Sequence, residues 1–248
     1  ARQEGILVTA DVYPYEYWSS TITVLFPNRN FSDVREAAYI LKNVTTAEGI
    51  IFSEYDPNPE YNGKNLAEVA TLNKRTNEQM LVEAIERLME CRKTKDCGAS
   101  IVATSMHKKD ILKILRWGQS SICSDGANAG RHPRGFGAFT KVLDTYVKQE
   151  KALTLPQAIQ KMTSLSAEQM GFEKRGKIAP GYYADLVLMD TTQVKDRSTI
   201  NAPQQTSDGI NRVWVNGRTV YINQKPTGVW SGKVIRREMH SSQKTPLR

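Results

Sequence analysis

The sequence predicts an α/β fold that closes on a small, mostly β unit, and three observations carry that reading. Strand-like and helix-like patterns alternate up to about residue 170. A short apolar run, Ile122-Cys123, stops at the turn signal Ser124-Asp125-Gly126, as a buried strand does at its C-terminal end. Beyond Gly171 the composition shifts to short strands, two of them joined by Asn216-Gly217, which supplies the positive-φ residues of a tight hairpin.

Residues 6–15 (ILVTADVYPY) are rich in β-branched and aromatic side chains and end at Pro14, so they read as a buried strand carrying Asp11, Tyr13 and Tyr15 at its far end. Residues 16–27 read as a loop with apolar anchors, and Ser32 as the cap of a helix reaching about Asn43, with Val34, Ala37, Ala38 and Leu41 on one face. Residues 54–64, with two prolines and a glycine, form a loop. Thr76 and Gln79 make a capping box for a helix whose stripe is Met80, Leu81, Ala84, Ile85, Leu88 and Met89. Residues 16–97 are therefore expected to be a partly helical insertion between two strands of the main fold.

A strand follows at 99–104, a helix at 108–117 with Ile111, Leu112 and Leu115 inward, and a strand at 120–125. Helical spacing returns at 139–150, and again at 154–170, opened by Thr154 and Gln157 with Pro156 in the first turn. Strands are expected at 184–189, 211–215 and 218–222, with one more within 227–236, and the residues from 238 on are expected to be a frayed polar tail. The resulting division is 1–172, 173–237 and 238–248.

Composition narrows the function. The chain has 248 residues, 40% hydrophobic and 24% charged, enough for a sizeable core. No apolar run approaches the roughly 18–20 residues needed to span a bilayer, so no membrane role is expected. The net charge of +8 is spread out and lacks a basic stripe with interleaved aromatics, which argues against nucleic acid as partner. Cys91, Cys97 and Cys123 are an odd, sparse set implying no disulfide framework, and Cys91 and Cys97 lack the spacing and histidines of a metal site. The opening Ala1-Arg2-Gln3-Glu4-Gly5 reads as the middle of a longer protein.

The densest chemistry lies in residues 120–137, SSICSDGANAGRHPRGFG. Asp125 is placed to act as a metal-binding or acid–base carboxylate, and Arg134, after the rigid Pro133, as an anion clamp. Gly126 and Gly130 allow a tight turn between them. The same residues also fit plainer roles: Asp125 as a turn residue, Arg134 as a surface arginine or the partner of Asp125, and Tyr13 and Tyr15 as half-buried aromatics. His132 reads as a structural residue ordering the loop.

The run from SDGANAGRHPRGFG through KMTSL to PGYYADLVLMD, with TADVYPY before it and VNGRTV after it, resembles the C-terminal part of D-aminoacylases, the N-acyl-D-amino-acid deacylases of the metal-dependent amidohydrolase superfamily. The resemblance implies the last part of a (β/α)8 TIM-type barrel beside part of a β-sandwich, and zinc-dependent hydrolysis of the amide bond of N-acyl-D-amino acids. It implies that Asp125 is the catalytic aspartate beside the metal, moving a proton from water to the leaving amine. Arg134 would pair with the substrate carboxylate, and Tyr13 and Ser19 would also touch substrate. Most zinc ligands are expected from a missing N-terminal portion, since His107, His132 and His240 match no ligand position. Alone, the chain should lack most of the metal shell, turn over little, and aggregate or pair with that missing portion. Two rivals are a cyclic-amide hydrolase of the same superfamily, dihydroorotase- or hydantoinase-like, and a metal-free binding module.

Overall fold

The computed structural model describes residues 2–127 and 130–236; the polar tail lies outside them. In chain order the strands are β1 (Ala10–Val12), β2 (Tyr17–Thr21), β3 (Ile50–Tyr55), β4 (Ala99–Thr104), β5 (Ser120–Ile122), β6 (Leu186–Met189), β7 (Ile210–Val215), β8 (Arg218–Ile222) and β9 (Lys225–Pro226). The helices are α1 (Val34–Asn43), α2 (Leu66–Leu72), α3 (Asn77–Cys91), α4 (Lys108–Arg116), α5 (Arg134–Lys141), α6 (Leu155–Met162) and α7 (Ser164–Met170), and α5 runs on as a wider π-helical stretch over Val142–Gln149. None of the helices is long and apolar enough to cross a membrane.

The fold is mixed α/β, and the described residues form no closed barrel. β1 lies parallel to β5, Val12 opposite Ile122, and that two-stranded pair is all the parallel sheet among the described residues. With pairing on one side only, the expected strand over 6–15 shrinks to three residues. Ile6 and Leu7 are exposed, because nothing among the described residues packs over them.

The insertion is half sheet. The segment read as a loop with polar tips is β2, which pairs antiparallel with β4, and β4 pairs on its other edge with β3. The strand at 99–104 thus belongs to the insertion's own sheet. Helices α1, α2 and α3 cover that sheet, burying Ile22, Phe52, Tyr55, Leu81, Ile85 and Ile101 in one cluster. The Thr76–Gln79 capping box opens α3 as expected, and Asn65 with Glu68 builds a second one on α2. α1 is capped by Asp33, whose carboxylate accepts from the Arg35 and Glu36 amides, while Ser32 donates instead to Glu86. The buried face of α1 is Ala37 and Ile40; Val34 and Ala38 point outward.

A second apolar cluster, including Ile111, Leu115, Ile122, Val142, Tyr146 and Ala158, packs α4, the helix from 134 to 149 and α6 around β5. Lys161 anchors that strand: its buried ammonium donates to Trp117 O at 2.6 Å and to Ser120 O at 2.8 Å. Burial holds its pKa below the usual lysine value. The expected single helix over 154–170 is broken at Thr163 (φ −132°, ψ −90°), giving α6 and α7, and Gly171 closes α7 at φ 70°.

The third sheet runs β6-β7-β8-β9, with Asn216 and Gly217 at φ 49° and 78° in the hairpin. The strand expected within 227–236 is replaced by β9, and Trp230 and Val234 stand in solvent.

Cys91 and Cys97 form a disulfide across a Cα–Cα distance of 6.0 Å, contrary to the expectation of none, because the turn after α3 brings Cys97 back beside the helix end. Closing so short a loop is worth about 2 kcal/mol. Thiol titration of the denatured, unreduced chain should find one free thiol, Cys123, and three after reduction. The C91S/C97S double variant should lose about 2 kcal/mol of unfolding free energy in urea.

Candidate active site

The register of β1 against β5 sets Tyr13 and Cys123 side by side just past the strand ends, and the Cys123 amide donates to Val12 O at 3.1 Å. Two residues on, Asp125 takes up φ 46°, a left-handed conformation that aspartate tolerates better than most side chains. Its side chain is 60% exposed and lies 2.9 Å, Oδ2 to Nη2, from Arg134, which is only 11% exposed. Arg134 starts α5, and its guanidinium lies 4.7 Å from the centroid of the Tyr13 ring. Its Nε is buried and has no hydrogen-bond partner among the described residues. Asp125, Arg134 and Tyr13 therefore form one cluster.

Two glycines make that proximity possible. A Cβ built on Gly126 would fall 2.4 Å from the Gly135 Cα, so here the strand exit and the helix start meet backbone to backbone.

His132 fixes the arginine's backbone. Its Nδ1 accepts the Arg134 amide at 3.0 Å, and its Nε2–H donates to the Tyr17 carbonyl at 3.0 Å. That assignment is a neutral imidazole with both nitrogens used. Tyr13, Tyr15 and Tyr17, spaced at the strand period of two, all set their rings edge-on to it at 6.0, 5.8 and 6.2 Å. Burial carries the His132 pKa down to about 4. Burial likewise raises the Tyr13 phenol, opposed by the arginine beside it.

Ser19 is not part of the Asp125–Arg134 cluster. It sits in β2 opposite Val102, two residues from Tyr17, and no hydrogen bond among the described residues joins it to Asp125 or Arg134. His107 precedes α4 and is exposed.

Reading the sequence missed the support beneath the cluster. The Tyr15 hydroxyl donates to Asp196 Oδ2 at 2.9 Å, and Asp196 Oδ1 accepts the Ser198 amide at 2.9 Å. Burial raises the Asp196 pKa. Gly137 leaves the room: a Cβ there would fall 2.0 Å from Asp196 Oδ1. The Tyr-Pro-Tyr-Glu-Tyr alternation was the available signal for the tyrosines. Asp196 is 181 residues from Tyr15 and had none.

The described residues do not make a metal centre. No group of three or more His, Cys, Asp or Glu able to hold an ion exists among the described residues. Both nitrogens of His132 are engaged, Cys91 and Cys97 are bonded to each other, and burial pushes the Cys123 thiol up to about 11, away from a ligating thiolate. The expectation that Asp125 binds metal finds no second ligand beside it among these residues; its neighbour is a cation.

This chain belongs to the amidohydrolase family, which its residues 62–221 match. Among particular relatives it is 35% identical over 242 residues to N-acyl-D-glutamate deacylase of Alcaligenes xylosoxydans xylosoxydans, covering 96% of this chain and 43% of that one. A solved D-aminoacylase superposes with a TM-score of 0.74 at 30% identity, over 92% of this chain and 42% of the other. N-acyl-D-glutamate deacylase from Bordetella bronchiseptica, solved with zinc and a phosphonate mimic of the tetrahedral intermediate, superposes at 0.73 and 31% identity, over 91% and 42% of the two chains. The chain thus spans less than half the length of these relatives.

The neutral His132 makes stability depend on pH. Its folded pKa lies below the unfolded value of 6.5, so its contribution is complete above pH 6.5 and is lost as pH falls through about 4. The loss should amount to about 3 kcal/mol. His132→Asn should flatten that part of the profile in urea titrations between pH 7 and 4.

Proposed function

We propose that this chain carries the carboxylate clamp and the proton-transfer group of an enzyme that hydrolyses N-acyl-D-amino acids to a carboxylate and a D-amino acid. The observation that carries the reading is Arg134. Its side chain is almost wholly buried, its guanidinium lies over the Tyr13 ring, its backbone is held by His132, and it keeps an unmet Nε donor beside the paired Nη2. A buried fork with a spare donor suits a planar carboxylate that can accept from both nitrogens.

In the resting chain Asp125 occupies Nη2. A substrate carboxylate bound at Arg134 competes for that donor and frees Asp125 for proton transfer. Asp125 then takes a proton from the attacking water as the new C–O bond forms at the acyl carbon. It returns that proton to the nitrogen as the C–N bond breaks. Tyr13 forms one wall of the clamp, and Ser19 contacts substrate from the insertion sheet. Zinc would have to be held by residues other than the described ones.

In the same reading β1 and β5 belong to a (β/α)8 barrel completed by an N-terminal portion of the protein, and β6 to β9 to a β-sandwich. The divisions at 1–172 and 173–237 follow that assignment. The exposed Ile6, Leu7, Trp230 and Val234 are then contact surface, and the chain expressed alone should scatter light as a concentration-dependent associate.

The full-length protein is tested with N-acetyl-D-amino acids, their L enantiomers and dihydroorotate. Release of the D-amino acid alone is expected. Arg134→Met should raise KM at least tenfold, and Asp125→Asn should lower kcat by about 10²–10⁴ with KM unchanged or lowered, because the amide competes less for Arg134. An unchanged KM in the arginine variant would remove the clamp from the account.

A further inference from the structure

A cleft of about 210 Å³ lies between the insertion sheet and the segment around Asn201, lined by Ile51, Ser53, Gly63, Val102, Arg131 and Asn201 among others. Arg131 is the charged residue of this lining, and no ion pair holds it among the described residues. Ser53 is buried, and its hydroxyl makes no hydrogen bond among them. The cleft therefore joins an apolar wall, Ile51 and Val102, to a free guanidinium and a free hydroxyl.

Sheet register and chain proximity connect it to the clamp. Ser19, Val102 and Ile51 stand directly opposite one another across β2, β4 and β3, so they share one face of the sheet. Tyr17, two residues before Ser19 and on the same face, is the residue whose carbonyl accepts from His132. Arg131 is three residues ahead of Arg134, so their Cα atoms are no more than about 11 Å apart. A ligand whose first carboxylate is on Arg134 can extend along this face toward the cleft.

We infer that the cleft is the side-chain pocket and that it selects an acidic side chain, its methylenes against Ile51 and Val102 and its carboxylate on Arg131 and Ser53. At about 30 Å³ per water, the volume equals about seven waters, room for a CH2CH2COO⁻ arm. A neutral side chain would forgo the charge-assisted bond to Arg131, which is exposed, and leave the buried Ser53 hydroxyl without a partner.

This inference rests on the proposed deacylase reading and deepens it. The test compares kcat/KM of the full-length protein for N-acetyl-D-glutamate and N-acetyl-D-glutamine, which differ in charge but hardly in shape. The acidic substrate should be favoured at least tenfold. Arg131→Met should bring the two within about twofold by lowering only the glutamate value, Arg131→Lys should restore part of the preference, and Ser53→Ala should reduce it severalfold. Equal rates for the two substrates, or an Arg131→Met variant that lowers both alike, would overturn the acidic pocket and leave the deacylase reading standing. Hydrolysis of neither substrate, nor of any other N-acyl-D-amino acid, would overturn both.

Discussion

A neutral imidazole with no nitrogen to spare is the constraint on which the site depends. His132 takes the Arg134 amide on one side, gives its proton to the Tyr17 carbonyl on the other, and is enclosed by three tyrosine edges. Its two bonds tie the start of α5 to β2, and so join the main fold to the insertion. Tyr15 passes the restraint on to Asp196, in the segment between β6 and β7. Residues from three separate stretches of the chain therefore fix the backbone from which one guanidinium extends. A guanidinium that is mostly buried and stacked over a ring loses little further freedom when it binds an anion, and that favours affinity.

The insertion and the rest of the chain hold separate apolar cores. The insertion closes its own sheet under three helices, so its stability owes little to the parallel pair. The β6–β9 sheet is different: Val194, Met189 and Ile210 reach the second core, while Val187 and Leu188 remain largely exposed. A sheet with so little covered is the part of the fold most in need of a further layer.

What the sequence made legible was local. The capping boxes at Thr76 and Thr154 and the Asn216-Gly217 hairpin each depend on residues within three positions of one another, and each formed as read. The Asp125–Arg134 proximity was legible for a related reason, since only eight residues, two of them glycines, separate the pair. The rest depended on distant pairing. β2 and β3 are strands because β4, about fifty residues or more further on, lies between them, and neither has an alternating pattern of its own. Ser19 was named by resemblance, and only the register across β4 connects it to a cleft. Asp196 and the Cys91–Cys97 bond became visible only once the chain had turned back on itself. The helix read over 154–170 failed at one residue, Thr163, where tertiary packing outweighs a continuous helical period.

The backbone contact between Gly126 and Gly135 has a consequence for how this loop can change. Two points pressed together behave as a clasp, and the peptide between them is a loop whose ends are already closed. Lengthening or shortening such a loop alters only its own closure entropy, a slowly varying quantity. Variants whose loop gains or loses residues can therefore keep the carboxylate and the guanidinium in register, whereas a methyl group on Gly126 cannot be absorbed.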